Sequence, residues 1–396
     1  MGRADFLSSF ETRPKCSLCG FNVKGNVLRK SISHDQSQSE RKLAGSTARA
    51  TVLLLLSGAL LGSTSVRHAN AQDAIKSDAF GASAVTISND QKSAIKGGLK
   101  YLASMQQPNG GWSASGNHQA AITGYAVIAF LATGNLPGEG EHGAVVQRGV
   151  DFLLSCVRPD GYIAAPIGQS NMYNHGVATL ALAEVYGHGR DVKIRPSLER
   201  AVKLILKCQN AEGGWRYAPR VADADVSVTV IQLSALRAAK NAGMDVPQNT
   251  IDLAVKYINS CLHPSGGFLY QPNKGGPGFA RTAAAIYSLQ VCGLYDDKSI
   301  PPAAEYLEKN LGKEGSHATY GHFYAGPAIY MIGGQVWSRW YAKVSSELMG
   351  RKRTEGERTW WERDSKNGES AMPVYYTSVN TTLLALPMGY MPLYQR

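Results

Sequence analysis

The chain has 396 residues, of which 44% are hydrophobic, and a formal net charge of +11. Ten of its 41 basic and four of its 30 acidic residues lie within residues 1–71, so the remainder carries a net charge of only +5. That balance is ordinary for a globular domain and lacks the concentrated positive charge of nucleic-acid-binding proteins, so we expect no nucleic-acid partner.

The first predicted element is a leader with a signal peptide, residues 1–71. Residues 51–66 are apolar but too short and too rich in Gly and Ser for a comfortable membrane span. Ala69-Asn70-Ala71 follows with the small-x-small pattern that signal peptidase reads. We expect cleavage after Ala71 and export to the periplasm or the extracellular space. The alternative is an uncleaved anchor that keeps the protein at the membrane periphery.

A repeat of about fifty residues follows a short predicted linker, residues 72–89. Gly-aromatic turns recur at steps of 50, 53 and 53 residues, at Gly111-Trp112, Gly161-Tyr162, Gly214-Trp215 and Gly267-Phe268. Each turn lies between an amphipathic helical pattern and an Ala-rich one that is nearly free of charge. Two less regular pairs complete the chain. The sequence therefore predicts six helix pairs.

These pairs predict an all-α fold for residues 90–396, an α/α toroid (α6/α6 barrel) of six helical hairpins. An amphipathic helix has one wet face, whereas an apolar helix is buried all round. A closed ring with charged helices outside and apolar helices inside satisfies both, and an open solenoid would expose the apolar helices at its ends. Cys156, Cys208 and Cys261 precede successive turns and are interpreted as one repeated core position rather than as disulfide partners.

One turn carries a complete sequence motif and another a nearly complete one. The first motif consists of Lys96, Gly97, Tyr101, Leu102, Gln106, Gly110 and Trp112. The second consists of Arg200, Ala201, Ile205, Gln209, Gly213 and Trp215, with Leu204 where the first has an aromatic residue. We expect the Gln to cap carbonyls at a helix end and the Trp to cover the start of a neighbouring helix.

These motifs resemble the repeats of squalene and oxidosqualene cyclases, in the prenyltransferase/squalene-hopene cyclase repeat superfamily. The family shares an α/α toroid with the β-subunits of protein prenyltransferases. The resemblance covers roughly residues 90–390 and implies a single terpene cyclase/mutase-like toroid. Cyclases of this family resemble two fused toroids, whereas this chain is long enough for one.

The resemblance also singles out Asp223 and Asp225 as catalytic candidates. Cyclases that protonate an alkene carry an Asp-x-Asp-Asp-Thr motif in this kind of position, and Asp225 would be the proton donor. Val226 replaces the third aspartate and Ser227 the threonine, which leaves a cyclase or isomerase activity open. The alternative is that Asp225 is the N-cap of the helix that follows.

Loops before the inner helices are expected to face a central cavity, and most of them carry polar or aromatic residues. The ligand-binding candidates are His118, Tyr173, His175, Arg281, His322, Tyr324, Tyr375 and Tyr376. The prenyltransferase zinc site needs an Asp-x-Cys pair and a distant His. Since no such pair follows residue 71, we predict neither a metal nor a cofactor.

Three functions remain open at this point. The first is action on, or binding of, an apolar isoprenoid-like ligand, with Asp225 as the acid. The second is a glycan-binding or glycan-degrading toroid that holds a polymeric ligand in an open polar groove. The third is a non-catalytic scaffold for an unknown protein partner. Fold alone decides among none of them.

Overall fold

The computed structural model describes residues 85–112, 118–164, 171–362 and 373–395. The chain divides into two units, Met1–Ala69 and Asn70–Arg396, and the described residues all belong to the second. The predicted signal peptide and most of the predicted linker lie outside them. Within the described ranges, no helix has both the length and the apolar character needed to cross a membrane.

Twelve α-helices alternate between an outer and an inner layer in these ranges. The outer helices are α1 (Asn89–Ser104), α3 (Gly143–Ser155), α5 (Arg195–Cys208), α7 (Gln248–Ser260), α9 (Ile300–Asn310) and α11 (Gly334–Arg351). The inner helices are α2 (Gln119–Leu131), α4 (Met172–Gly189), α6 (Val226–Asn241), α8 (Phe279–Val291), α10 (Ala318–Ile332) and α12 (Pro373–Ala385).

The inner helices form a closed ring. Each packs against the next in chain order, and α12 returns to pack against α2. Twelve of the 13 residues of α2 are buried, whereas only six of the 14 residues of α5 are. An all-apolar helix is stable here because the ring and the outer layer together cover its whole circumference. The predicted α/α toroid, with charged helices outside and apolar helices inside, is confirmed.

One type of hydrogen bond recurs in five of the repeats, where the turn meets the inner helix. Backbone amides of the turns donate to threonine hydroxyls at 2.9–3.2 Å, in the pairs Trp112–Thr123, Trp215–Thr229, Phe268–Thr282 and Trp361–Thr377. In the second repeat, the Ile163 amide donates instead to Nδ1 of His175 at 3.1 Å. The bond satisfies a buried backbone donor of the turn. It also ties the turn to the inner helix and so fixes the direction in which the chain enters the inner layer.

The motif side chains hold adjacent parts of the ring together, and the Trp has a capping role in addition to the one expected. The Trp215 indole donates to the Ile205 carbonyl in the last turn of its own helix, at 2.8 Å. The Gln209 amide donates to the Gly213 carbonyl and to Thr250, in the first turn of α7, both at 2.9 Å. Trp therefore caps the end of its own helix, and the Trp112 ring also lies against Gly149 of the next outer helix. Gln binds a carbonyl of its own turn and one of the next outer helix.

The last repeat contains an element that the all-α prediction missed. A short antiparallel hairpin, β1 (Arg353–Glu355) and β2 (Arg358–Trp360), follows α11 and packs on α1. The rings of Trp360 and Tyr101 stack with centroids 5.5 Å apart. The hairpin joins the last repeat to the first, and so forms part of the seam where the ring closes.

The cysteines agree with the interpretation drawn from their spacing. Cys156, Cys208 and Cys261 are free, buried, and placed at the ends of α3, α5 and α7. Beyond α12, two 3₁₀ turns, Leu386–Met388 and Pro392–Tyr394, pack against α10.

Candidate functional site

Asp225 lies at the entry to inner helix α6. Its backbone is extended, its amide donates to the Trp215 carbonyl at 3.1 Å, and its side chain is fully buried. Oδ1 accepts a hydrogen bond from the Val228 amide at 2.9 Å, which caps the helix. The N-cap interpretation is thus confirmed, and the proton-donor interpretation stays a prediction.

The second carboxylate oxygen of Asp225 forms an ion pair with the guanidinium of Arg216. Arg216 lies 3.1 Å from Oδ2 of Asp225 through its terminal nitrogen, and its Nε lies 3.8 Å from Oδ2 of Asp223. The Asp223 side chain is 67% exposed and that of Asp225 is 0% exposed. One guanidinium therefore stands between a buried and a solvated carboxylate.

Two tyrosine rings pack against this guanidinium. The centre of the Arg216 guanidinium lies 5.0 Å from the ring centroid of Tyr217 and 5.4 Å from that of Tyr270. The two phenol oxygens are 2.6 Å apart, within hydrogen-bond distance. Both guanidinium–ring contacts are cation–π interactions, which attract the charge without binding its N–H groups.

Burial dominates the protonation of Asp225. Desolvation raises the pKa of its carboxyl above the ordinary range, although the Val228 amide and the Arg216 guanidinium act in the opposite direction. A raised pKa favours uptake of the proton by Asp225, and it also makes the carboxyl a weaker proton donor.

A cluster of aromatic side chains extends from this acid across the ring. The Tyr173 ring lies 5.9 Å from that of Tyr217 and 6.2 Å from that of Tyr320, and Tyr320 lies 5.0 Å from Tyr324. Phe323 contacts Tyr324, Tyr125 contacts Phe323 and Tyr375, and Tyr375 contacts Tyr376. We call these side chains the tyrosine cluster: Tyr125, Tyr173, Tyr320, Phe323, Tyr324, Tyr375 and Tyr376. Four inner helices contribute to it, namely α2, α4, α10 and α12.

Other candidates lie apart from this cluster. Both ring nitrogens of buried His175 are within hydrogen-bond distance of backbone atoms, the Ile163 amide at 3.1 Å and the Ala201 carbonyl at 3.2 Å. Arg281 donates to the Gly276 carbonyl of its own loop at 2.9 Å. His118 is exposed at the start of α2, with Nδ1 3.4 Å from the Asn174 side chain. None of these contacts involves the tyrosine cluster, so His118, His175 and Arg281 are left out of the proposed site.

His322 lies between the inner and outer layers rather than in the cluster. Its Nε2 is 3.4 Å from Glu314, and its ring contacts those of Phe279 and Trp340. Burial would raise the pKa of Glu314, but hydrogen bonds from His322 and from the Gly312 amide outweigh it and lower the pKa to about 2. The pair attaches the loop before α10 to that helix.

The sequence analysis missed Arg216, Tyr217 and Tyr270. A signal was present, since Tyr217 and Tyr270 each stand two residues after the turn aromatic of their repeat. Turn residues were treated as structural, and their side chains were therefore not considered for the site. As for metals, the described residues contain no group of three or more His, Cys, Asp or Glu side chains placed to hold an ion.

Comparison with known proteins agrees with this architecture. The model of the prenyltransferase alpha-alpha toroid domain matches residues 78–253 and 224–320, which together make up more than half of the chain. The chain belongs to this toroid family. The resemblance inferred from the repeat motifs is therefore confirmed.

Individual relatives are more distant. A drimenyl diphosphate synthase from Streptomyces showdoensis is 26% identical over 178 residues, which are 45% of this chain and 32% of that protein. A type II terpene cyclase from Scytonema, solved in complex with geranylgeranyl dihydroxybenzoate, shares 13% identity at a TM-score of 0.53, covering 76% and 98% of the two chains. A glycoside hydrolase family 76 mannosidase from Bacteroides thetaiotaomicron shares 11% at a TM-score of 0.54, also covering 76% and 98%.

These likenesses establish a terpene cyclase-like toroid and leave its substrate open. The chain spans about a third of the length of the curated relatives that it matches. The mannosidase has the same fold at a similar TM-score, so the fold is compatible with chemistry on sugars as well as on isoprenoids.

Proposed function

We propose that this protein binds an apolar isoprenoid-like ligand against the tyrosine cluster and that Asp225 protonates an alkene of that ligand. The observation that carries the proposal is a fully buried carboxyl beside aromatic rings that belong to several inner helices. The matched terpene cyclase and the drimenyl diphosphate synthases make a ligand of this class the natural first choice.

The residues divide the proposed chemistry between them. A protonated Asp225 transfers its proton to one alkene carbon, and the positive charge that forms on the other carbon faces the rings of Tyr173 and Tyr320. Aromatic faces stabilise such a cation through their quadrupole. The ligand then loses a proton from an adjacent carbon to water, and Asp225 takes up a proton from solvent, so that the net reaction is an isomerisation or cyclisation that consumes no proton.

The departure from the family pattern is physically specific. Val226, which stands in place of the third aspartate, is fully buried at the first position of α6. Its apolar side chain offers Asp225 no hydrogen bond. Arg216, from the preceding turn, provides the polar side-chain contact to Oδ2 of Asp225 instead.

The test is incubation of the protein with squalene, farnesyl diphosphate and geranylgeranyl diphosphate, followed by mass spectrometry of the products. We expect a cyclised or isomerised product from at least one of them, which is lost in Asp225→Asn. Asn retains an oxygen that can cap α6, so this variant separates acid chemistry from folding. Glu199→Gln, on the exposed face of α5, is the matched control. Lack of both product and ligand-induced thermal stabilisation would contradict the proposal.

Binding of a glycan is the competing outcome. It draws on the mannosidase fold and on the 40% exposed ring of Tyr217 at the rim of the site. Stabilisation by mannan or cello-oligosaccharides, and not by isoprenoids, would replace the isoprenoid proposal with this one.

We further infer export, because the run at residues 51–66 and Ala69-Asn70-Ala71 have the composition of a signal peptide and its cleavage site. Fractionation of cells that express the full chain, with N-terminal sequencing of the product, tests this. A product that begins at Gln72 outside the cytoplasm is expected, and an intact cytoplasmic chain would contradict it.

A further inference from the structure

The described arrangement of Asp225 is that of an ionised carboxylate. Oδ1 accepts from the Val228 amide at 2.9 Å and Oδ2 from Arg216 at 3.1 Å. An acid that is about to donate a proton must first carry that proton on one of these oxygens, each of which has a second lone pair beside the one that accepts. Protonation of Asp225 removes the negative charge that pairs with Arg216, so the guanidinium then loses its ionic partner.

The Val228 amide cannot leave without unwinding the start of α6, whereas Arg216 has a second acceptor within reach. Asp223 lies 3.8 Å from Nε of the same guanidinium, and its carboxylate is solvated. Gln271 anchors Asp223 from the next loop: its Nε2 lies 3.4 Å from Oδ2 of Asp223 and 2.7 Å from the Ala224 carbonyl. The guanidinium therefore has an anchored partner on each side.

The tyrosine rings allow such a movement. Cation–π attraction acts between the ring faces and the guanidinium as a whole and does not require one particular N–H group. A small displacement between Asp225 and Asp223 therefore exchanges ionic partners while the contacts with Tyr217 and Tyr270 persist.

We propose that Arg216 is a movable counter-ion, which shifts from Asp225 to Asp223 when Asp225 takes up a proton and returns when that proton is given away. The inference rests on the proposed role of Asp225 as the proton donor. It makes Arg216 a positioning residue, and it makes Asp223 the acceptor that receives the guanidinium rather than a second acid.

Burial couples the protonation of Asp225 to the displacement of Arg216. An unpaired carboxylate is costly in a desolvated site, so Arg216 can leave only as the carboxyl is neutralised. The proton from solvent replaces the guanidinium as the neutralising charge on Asp225. Pairing of Arg216 with exposed Asp223 stabilises the displaced position only weakly, which keeps the shift reversible.

Several titratable side chains interact with the Asp225 carboxylate, and each belongs to an element packed around it. They are Arg216 of its own loop, Tyr270 of the next loop, Tyr173 of α4, and Tyr257 and Cys261 of α7. Tyr217 and Asp223 face Arg216 rather than Asp225 itself. Burial raises the pKa of the tyrosines Tyr173, Tyr257 and Tyr270, and of the Cys261 thiol. These groups therefore stay neutral while Asp225 titrates, and Arg216 is the mobile charge among them.

The experiment is a titration of Asp225 in the full-length protein without ligand, by carbon-13 NMR of labelled aspartate carboxyls assigned with Asp225→Asn. Arg216→Gln is expected to increase the proton affinity of Asp225 by roughly tenfold or more, since its counter-ion is gone. Arg216→Lys is expected to restore most of the original value. Arg220→Gln, an exposed arginine of the same loop, is the control and is expected to leave the titration unchanged.

Asp223→Asn supplies the decisive comparison. Removing the alternative acceptor is expected to lower the proton affinity of Asp225 in the natural chain and to have much less effect in the Arg216→Gln background. An equal effect in both backgrounds would mean that Asp223 acts through its charge alone, and would overturn the proposal. So would an Asp225 titration that is unchanged in Arg216→Gln.

These titrations need no substrate, so they are independent of whether any isoprenoid is converted. If Arg216→Gln does not fold, as judged by circular dichroism, Arg216→Met, which also lacks the charge, takes its place as the second background. Failure to detect a reaction product with normal coupling of Asp223 to Arg216 would count against the proposed function and not against the counter-ion.

Discussion

Asp225 shows how one residue combines a structural and a chemical capacity. Its Oδ1 caps α6 and its Oδ2 holds Arg216, so the same burial that fixes the helix start also raises the pKa of the carboxyl. Removal of such a side chain affects stability and chemistry together. For this reason Asn, which keeps the cap, is a more informative replacement than Ala.

His175 offers a test of burial by pH. Desolvation lowers its pKa from 6.5 to about 4, although the Ala201 carbonyl opposes the shift. The unfolded chain takes up this proton below about pH 6.5 and the folded chain does not, so the free energy of unfolding falls as the pH drops towards 4. We expect His175→Thr, which installs the residue of the other repeats, to remove a pH-dependent loss on the order of 3 kcal/mol.

Urea unfolding between pH 4.5 and 7 measures this effect. His118→Thr is the matched control, since His118 is exposed. The control should retain the pH dependence of the natural chain. Equal slopes for His175→Thr and the natural chain would show that His175 is accessible to protons in the folded state.

Glu184 is expected to have the opposite pH dependence. It is 5% exposed on inner helix α4, and burial raises its pKa from 4.5 to about 8. The folded chain therefore keeps a proton that the unfolded chain has lost, and stability declines as the pH rises from about 4.5 through 8. Glu184→Gln should be more stable than the natural chain at pH 8, by on the order of 3 to 5 kcal/mol.

Thermal unfolding at pH 5 and pH 8 tests this prediction, with exposed Glu199→Gln as the control. The stabilisation should be confined to the higher pH. A Gln variant that gains nothing at pH 8 would mean that the carboxylate is solvated or paired in the folded protein.

At the scale of elements, each outer helix is connected to the turn that follows it and to the next outer helix by hydrogen bonds such as those of Gln209. Gln209 connects its own turn to the first turn of α7, and both bonds are partly buried. Gln209→Ala leaves two carbonyls without these donors, and we expect it to cost about 1–3 kcal/mol.

Urea denaturation gives the free energy of unfolding for this comparison. Gln147→Ala is the control, because Gln147 bonds only to exposed Asp151 on the same helix, and it should change stability by less than about 0.5 kcal/mol. Similar losses in the two variants would mean that the links between repeats contribute no more than a surface contact.

At the scale of the whole molecule, the ring is stable only if its last repeat meets its first. The contact is tight at Gly97, where an added Cβ would lie 2.4 Å from the Thr359 hydroxyl and 3.0 Å from its backbone amide. Gly97→Ala must displace the hairpin, and we expect a loss of about 1–3 kcal/mol despite the higher helix propensity of Ala.

Gly350→Ala provides the matched control, because nothing lies within 4 Å of its Cβ position in α11. That variant should be neutral or slightly more stable. Calorimetry of Gly97→Ala and of Gly97→Ala with Thr359→Ala tests the steric origin. Part of the loss should be recovered in the double variant, and a larger loss there would contradict this account.

The toroid could be predicted from the amino-acid sequence alone. Helix periodicity, the fifty-residue repeat and the contrast between charged and apolar helices depend on local composition, and they left few ways to bury six apolar helices. The hairpin at β1 and β2 was missed because three-residue strands leave no periodic pattern.

Asp225 is connected to Tyr173 through Arg216 and Tyr217. His175 instead bonds to backbone atoms, and His322 pairs with Glu314 between the helix layers. The same position in each repeat is filled by Thr or His for a structural reason that a single sequence does not reveal. Side-chain direction and burial depend on packing between elements, so the site could be found only once the ring was closed.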